Sequence, residues 1–451
     1  MADIIIRDAT DEDFNAHSRC ILLKLDIFFD GLQNDPLTVT REDYLIDADI
    51  LDEAGAEDNN PLGAISANEL SFSLYNENGI FSPTNTNGPY YGKIKVNVPI
   101  IPYMKPDMDD GTEVNWIKMG VYYVSDWNAT VTGAAASITA GDKIQQTLME
   151  PSPIIPVGLN KTQAAFFQEV FDALGYAAKI SQDLNATLLY TFTEGEQKKF
   201  LQEMLQGAIA YCTCNKNGDI VIEPLDSTRP LRATLTDADQ IISVDAEQSI
   251  VKTYGGVELT YVLPQLTEAI QLLEIKEANV PAGIFTHNKV ALSKGPAKVI
   301  TNVCAITESK EVAIIDYVNS PWDITLITKN ESTTKATSDL AVYGIAVDFV
   351  ETILTDNVSN VLKVKNRYIQ STEYATKYKE ILEAFVNSDM PTLTLQVRGN
   401  PLLNVGDKIR VQSERYNLDF TGVLKRINYK YIGSLSCEIT LLNSDILEVS
   451  R

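Results

Sequence analysis

Pro151, Pro153 and Pro156 fall within six residues, and the hydrophobic period differs on their two sides. Before them the apolar residues alternate, as in Leu70-Ser71-Phe72-Ser73-Leu74. That spacing puts one face of a strand in a core and the other toward water. After them Ala164, Phe167, Phe171 and Leu174 recur at helical spacing, with Gly175 as a stop. Proline removes a backbone donor and keeps the preceding residue out of the helical region, so the cluster marks a boundary between unlike units. A chain of 451 residues has room for about three domains.

Five or more strands are expected in the leading unit, 20–150, enough for a β-barrel or sandwich. Residues 1–19 are acidic and polar around Ile4-Ile5-Ile6 and read as an arm that docks on a partner. The first strand is Cys20–Phe29, ending at Asp30-Gly31; others are expected at Lys93–Ile100, Ile117–Trp127 and Thr130–Thr139, then a short helix over Asp142–Met149. Asp47–Asn60 carries Asp47, Asp49, Asp52, Glu53, Glu57 and Asp58 and reads as a solvated loop; its spacing misses the calcium-binding EF-hand pattern.

The unit 157–228 reads as a small α+β insertion. Its second helix, about Glu194–Ala210, aligns Phe200, Leu201, Met204, Leu205, Ala208 and Ile209. Asn217-Gly218 then predicts a type I′ hairpin between Tyr211–Lys216 and Asp219–Glu223. From 229 to 360 short apolar runs recur (Gly256–Tyr261, Lys298–Thr307, Tyr343–Phe349), and Glu268–Glu277 fits helix or strand. A helix over Thr372–Asn387 and strands at Thr392–Arg398, Lys408–Ser413, Phe420–Lys430 and Leu435–Leu442 fill 361–451. The fold class expected is mainly β, with β-rich modules at both ends, an α+β insertion and a further β-rich domain.

Chemistry leaves little trace. There are two histidines, His17 in the polar arm and His287 in a turn-like stretch, and neither sits where a triad would hold it. Cys212 and Cys214 are alternate residues of one strand with no further ligands at zinc spacing. No nucleophile elbow, phosphate loop, His-Glu-x-x-His or dinucleotide fingerprint occurs. A carboxylate pair of the glycosidase kind cannot be picked out of 61 acidic residues. No catalytic, metal-binding or cofactor-binding residue is assigned, and the chain is expected not to be an enzyme.

A net charge of -24 disfavours a duplex-gripping surface, which needs clustered cations, but suits a surface that DNA slides past. No apolar run approaches the roughly 18–20 residues of a membrane span. The start lacks a basic, then apolar, leader, so synthesis in a cytoplasm is expected.

Two segments carry a resemblance. One runs from Phe72 through Asn76-Glu77-Asn78-Gly79-Ile80-Phe81-Ser82-Pro83 to Gly88-Pro89-Tyr90-Tyr91-Gly92-Lys93. It is followed by Gly120-Val121-Tyr122-Tyr123-Val124-Ser125-Asp126-Trp127 and Ser137–Ile144. The other is Arg398-Gly399-Asn400-Pro401-Leu402-Leu403-Asn404-Val405-Gly406-Asp407-Lys408-Ile409, after a helix. Together they resemble the phage tail-hub and baseplate-hub family over roughly 20–150 and 360–445. The resemblance implies a homotrimer in which two tube-like barrels per subunit match a six-fold tube to a three-fold spike. It implies tail-tube and distal-tail proteins, and a spike or central fibre, as partners in a virion. DNA would pass through the lumen without specific binding, and the chain would not insert in a membrane. Read from the residues alone, Gly399 and Gly406 supply permissive angles and Asn400-Pro401 a bend. The chain ends at Arg451 soon after its last strand, so enzymatic extensions are expected on other subunits. A carbohydrate-binding receptor-recognition β-protein is the alternative, and a glycosidase-like enzyme the remoter one.

Overall fold

The computed structural model describes residues 6–15, 20–54, 62–108, 112–237, 240–245, 254–306, 311–356, 358 and 360–448. His17, and Glu57 and Asp58 of the acidic run, lie outside them. The fold is mainly β, as its alternating sequence predicts.

A sheet of 14 strands draws on both ends of the chain. From one edge it runs Leu37–Thr40, Cys20–Ile27, Pro99–Asp107, Tyr122–Asn128, Ala135–Gly141, Glu69–Tyr75 and Leu45–Glu53. It continues through Leu418–Tyr431, Leu435–Asn443 and Thr392–Val397 to Ile241–Asp245; off this path Ile117–Lys118 pairs with Pro99–Asp107, and Lys408–Ser413 pairs with Leu418–Tyr431 and with Leu231–Thr236. Leu45–Glu53 pairs antiparallel with Leu418–Tyr431, Ile50 facing Tyr429, and this one pairing makes the two ends a single sheet. One apolar cluster follows it, from Leu25, Ile50 and Leu70 to Leu395, Ile427 and Ile439, all fully buried. Each such side chain contributes about 1.5–3 kcal/mol relative to exposure.

Several boundaries differ from the sequence reading for local reasons. The acidic loop expected from Asp47 is a strand as far as Glu53, with Ala48, Ile50 and Asp52 facing inward and the intervening acids half-exposed. The Lys93–Ile100 strand gives way to turns, because Gly92 and Asn97 both take positive φ (+76° and 63°). Ile94 and Val98 still reach the core, but Val96 is left 60% exposed. Ile117–Trp127 is broken at Gly120 (φ +146°), where a Cβ would sit 2.5 Å from the Tyr122 ring.

The insertion holds the helices Gln163–Ala173 and Gln197–Ala208. Thr162 caps the first by accepting from the Ala165 N–H. The second stops at Ile209, whose left-handed φ of 50° turns the chain into the strand Ala210–Cys214. The Asn-Gly hairpin forms, but not as a type I′ turn. Gly218 takes positive φ and Asn217 does not; Gly218 N–H donates to Asn215 O (2.8 Å) and Asn215 N–H to Asp219 O (2.9 Å). The Asn215 side chain accepts from the backbone of Asn217 and Asp219, which selects the three-residue loop.

Glu268–Glu277 proves to be strand from Ile270 onward, within Ile270–Val280. That strand and Ala297–Ile306 pair with the first half of Ala336–Thr355, a strand of 20 residues; Gly256–Leu266 pairs with its second half. Gly283–Ala291, Asp323–Asn330 and Val312–Asn319 form a separate three-stranded sheet. The helix Thr372–Asn387 occupies the predicted residues, capped by Ser371 accepting from Tyr374 N–H, and packs on Gly256–Leu266. Among the described residues no helix is long and apolar enough to cross a membrane.

Candidate functional site

The segment Arg398–Ile409 lies where four parts of the chain meet. Gly399 (φ +83°) and Gly406 (φ +91°) take the permissive angles expected of them. A Cβ on Gly406 would lie 2.0 Å from the Tyr211 hydroxyl, so the insertion's first hairpin strand presses directly on this loop. Tyr211 donates to Glu223 (2.8 Å), and Arg229 joins the same carboxylate (2.7 Å). The hairpin tip reaches further: Lys216 Nζ donates to Pro401 O (2.5 Å) and Leu403 O (2.6 Å). Burial pulls the Lys216 ammonium down to about 8, against the fields of Asp52 and Asp407. Asn400 and Arg232 both bind the Asp11 carboxylate, at 2.8 and 2.6 Å, so the described part of the N-terminal arm rests on this chain's own C-terminal module. Tyr429 donates to Asn400 O (2.9 Å) from the sheet beneath.

The other flagged segment closes on itself. Asn76 donates to Thr130 O and Gly133 O and accepts from Phe81 N–H (2.8 Å). Trp127 Nε1 donates to Phe81 O (2.9 Å). Phe81 stacks on Tyr90 (5.5 Å between centroids) and meets Tyr44 edge-on. These residues build an aromatic cap over one end of the first module.

A seam of buried polar groups joins the first module to the hairpin. Asp142 caps the helix Lys143–Met149 and accepts from Ile144 N–H (2.8 Å) and Asn68 N–H (2.9 Å). Asn68 in turn donates to Cys214 O and accepts from Thr213 and from Glu53 N–H. Ala64–Ile65 adds a parallel strand to the insertion's sheet at Tyr211–Cys212. Burial pushes the carboxyls of Asp52 and Asp142 up to about 6 and the thiols of Cys212 and Cys214 well above their usual range.

Raised carboxyls are the mark of a general acid, but Asp52 and Asp142 are only 7% and 2% exposed, out of reach of a sugar. His287 lies in the strand Gly283–Ala291 rather than a turn, edge-on to Phe285 and lowered by burial. In a cleft of about 310 Å3 beside Leu188, Gln370 donates to Tyr190 O and Tyr374 to Gly207 O. Among the described residues no three His, Cys, Asp or Glu side chains converge as metal ligands. Sequence reading found both loops as turns. It missed Lys216, Asp52 and Asp142 as a joint, because a lone lysine in a hairpin and acids in a charged run look solvated.

No family model matches this chain, and no curated protein matches it by sequence. Solved structures do match. The 43 kDa tail protein of prophage MuSo2 from Shewanella oneidensis is 13% identical, with 94% of this chain and 99% of that one covered at a TM-score of 0.51. The tail protein from Neisseria meningitidis MC58 is 10% identical, covering 95% and 98%, at a TM-score of 0.53. At such identities the likeness is one of fold, and it spans nearly the whole of each chain. This mainly-β chain therefore has the fold of phage-type tail proteins.

Proposed function

We propose that the protein is a non-enzymatic structural subunit of a phage-type tail, forming a trimeric ring at the end of the tail tube. The observation that carries this reading is the single sheet built from both ends of the chain. Its outermost strands, Leu37–Thr40, Ile241–Asp245 and, on a branch, Leu231–Thr236, each have a strand on one side only among the described residues. Open edges present unpaired backbone groups to another chain, and unlike edges on one subunit favour a closed ring over a face-to-face dimer. In this reading 20–150 and 361–451 are the two tube-like modules, 157–228 the insertion and 229–360 a β-rich middle domain, whose leading strands Leu231–Thr236 and Ile241–Asp245 are lent to the sheet of the end modules. The ring joins tube and distal-tail proteins to a spike or central fibre in the virion and lines a passage for DNA. The like charge of an acidic protein lets DNA move past without specific binding.

Light scattering and negative-stain imaging of the purified chain test this. A trimeric mass, or rings of tail-tube diameter on adding tube protein, is the expected result. A stable monomer under both conditions, or turnover of peptidoglycan or oligosaccharide, would overturn it.

A further inference from the structure

The insertion hairpin is wedged between the two ends of the chain by groups that the structural role above does not require to be ionisable. On the first module's side stand Asp52, Asp142 and Tyr122, whose hydroxyl donates to Asp52 Oδ1 (3.3 Å). On the hairpin stand Cys212, Cys214 and Lys216, the Cys214 thiol close enough to Asp142 for each to perturb the other. From the C-terminal module Asp407, Tyr429 and Cys437 face the same space, with Arg232 at its margin. Asp52 and Asp142 are buried; Asn68, whose N–H donates to Asp142, also holds Cys214 O and Thr213 of the hairpin, and the Lys216 charge acts on Asp52. Separating the hairpin from the first module would hydrate both carboxyls.

We propose that this seam is a proton-operated clamp. Proton uptake by Asp52 and Asp142 draws the hairpin Ala210–Pro224 more firmly onto the first module, and proton loss loosens it. The sign follows from linkage. Both carboxyls titrate near pH 6 in the closed seam and near 3.8 once hydrated. The closed form therefore binds protons more tightly, so closure strengthens as pH falls through 6 and weakens as it rises. Lys216, lowered to about 8, is cationic near pH 6 and keeps its two carbonyl partners; its own titration acts in the opposite sense, weakly, as pH approaches 8. The clamp does not depend on the tail reading.

Hydrogen exchange of the full chain, corrected for intrinsic rates, tests it at pH 5.5 and 7.5. Protection of Ala210–Cys214 and Ile220–Pro224 is expected to rise at pH 5.5, by about fourfold for each carboxyl. The helix Thr372–Asn387 serves as the internal reference and is expected to change little. Asp52→Asn is expected to remove its share of the response while Tyr122 keeps an acceptor. Equal hairpin protection at both pH values would overturn the proposal. So would a uniform change across the chain including the reference helix, or an undiminished response in a folded Asp52→Asn, Asp142→Asn double variant. The wild-type comparison decides the matter even where a variant fails to fold.

Discussion

The aromatic cap at 72–93 and the loop at 398–409 are both turn segments punctuated by glycine, asparagine and proline, yet they do opposite work. The cap spends its polar groups on its own module: Asn76 on Thr130 and Gly133, Trp127 on Phe81. The loop spends its own on residues far away in sequence: Pro401 and Leu403 on Lys216, Asn400 on Asp11. One turn ends a module, the other fastens modules together. Turn-forming residues alone do not distinguish these roles; the partner's position does.

That contrast can be broken most forcefully at Phe81, which is fully buried beneath Tyr44, Tyr90 and Trp127. Phe81→Ala is expected to cost about 3–5 kcal/mol by urea unfolding. Hydrogen exchange should show the loss centred on the first module, with 398–409 unchanged; an equal loss at both loops would erase the contrast. Gly406→Ala comes next. It forces an L-residue into positive φ and drives a methyl into the Tyr211 hydroxyl, costing about 1–3 kcal/mol and loosening the insertion hairpin as well as its own loop. The matched change in the cap, Gly92→Ala, meets no atom within 4 Å and carries only the backbone penalty of about 1 kcal/mol. If the two alanines prove equal in thermal melts, the loop is not under pressure from the insertion. The smallest effect is expected from Asp11→Asn. The Asp11–Arg232 pair is about a third exposed, so its loss should cost about 0.5 kcal/mol, with added exchange limited to the short helix Asp11–Asn15.

Legibility in the sequence followed how local the cause was. Thr372–Asn387 was readable because Tyr374, Tyr378, Ile381, Leu382 and Phe385 recur at helical spacing and share one face. Lys408–Ser413 was readable for the same reason, a clean alternation behind a Gly-Asp turn. Leu45–Glu53 was not, since its inward set includes a buried Asp52 and its outward face is acidic; charge masked the period of two. Lys93–Ile100 failed in reverse, for its alternation was genuine but Gly92 and Asn97 turned the chain out of the sheet. The joint itself lay beyond reach. Nothing local to Lys216 says that its ammonium ends among carbonyls 185 and 187 residues away.

The long strand Ala336–Thr355 has a mechanical consequence. Twenty residues at roughly 3.3 Å each make a spar of about 65 Å shared by partners at both ends. A pull along its axis loads the ladders to Ile270–Val280, Ala297–Ile306 and Gly256–Leu266 in shear, many hydrogen bonds at once, instead of peeling them singly. Tension entering the middle of the molecule is thereby carried along one continuous strand to Gly256–Leu266, on which the helix Thr372–Asn387 packs.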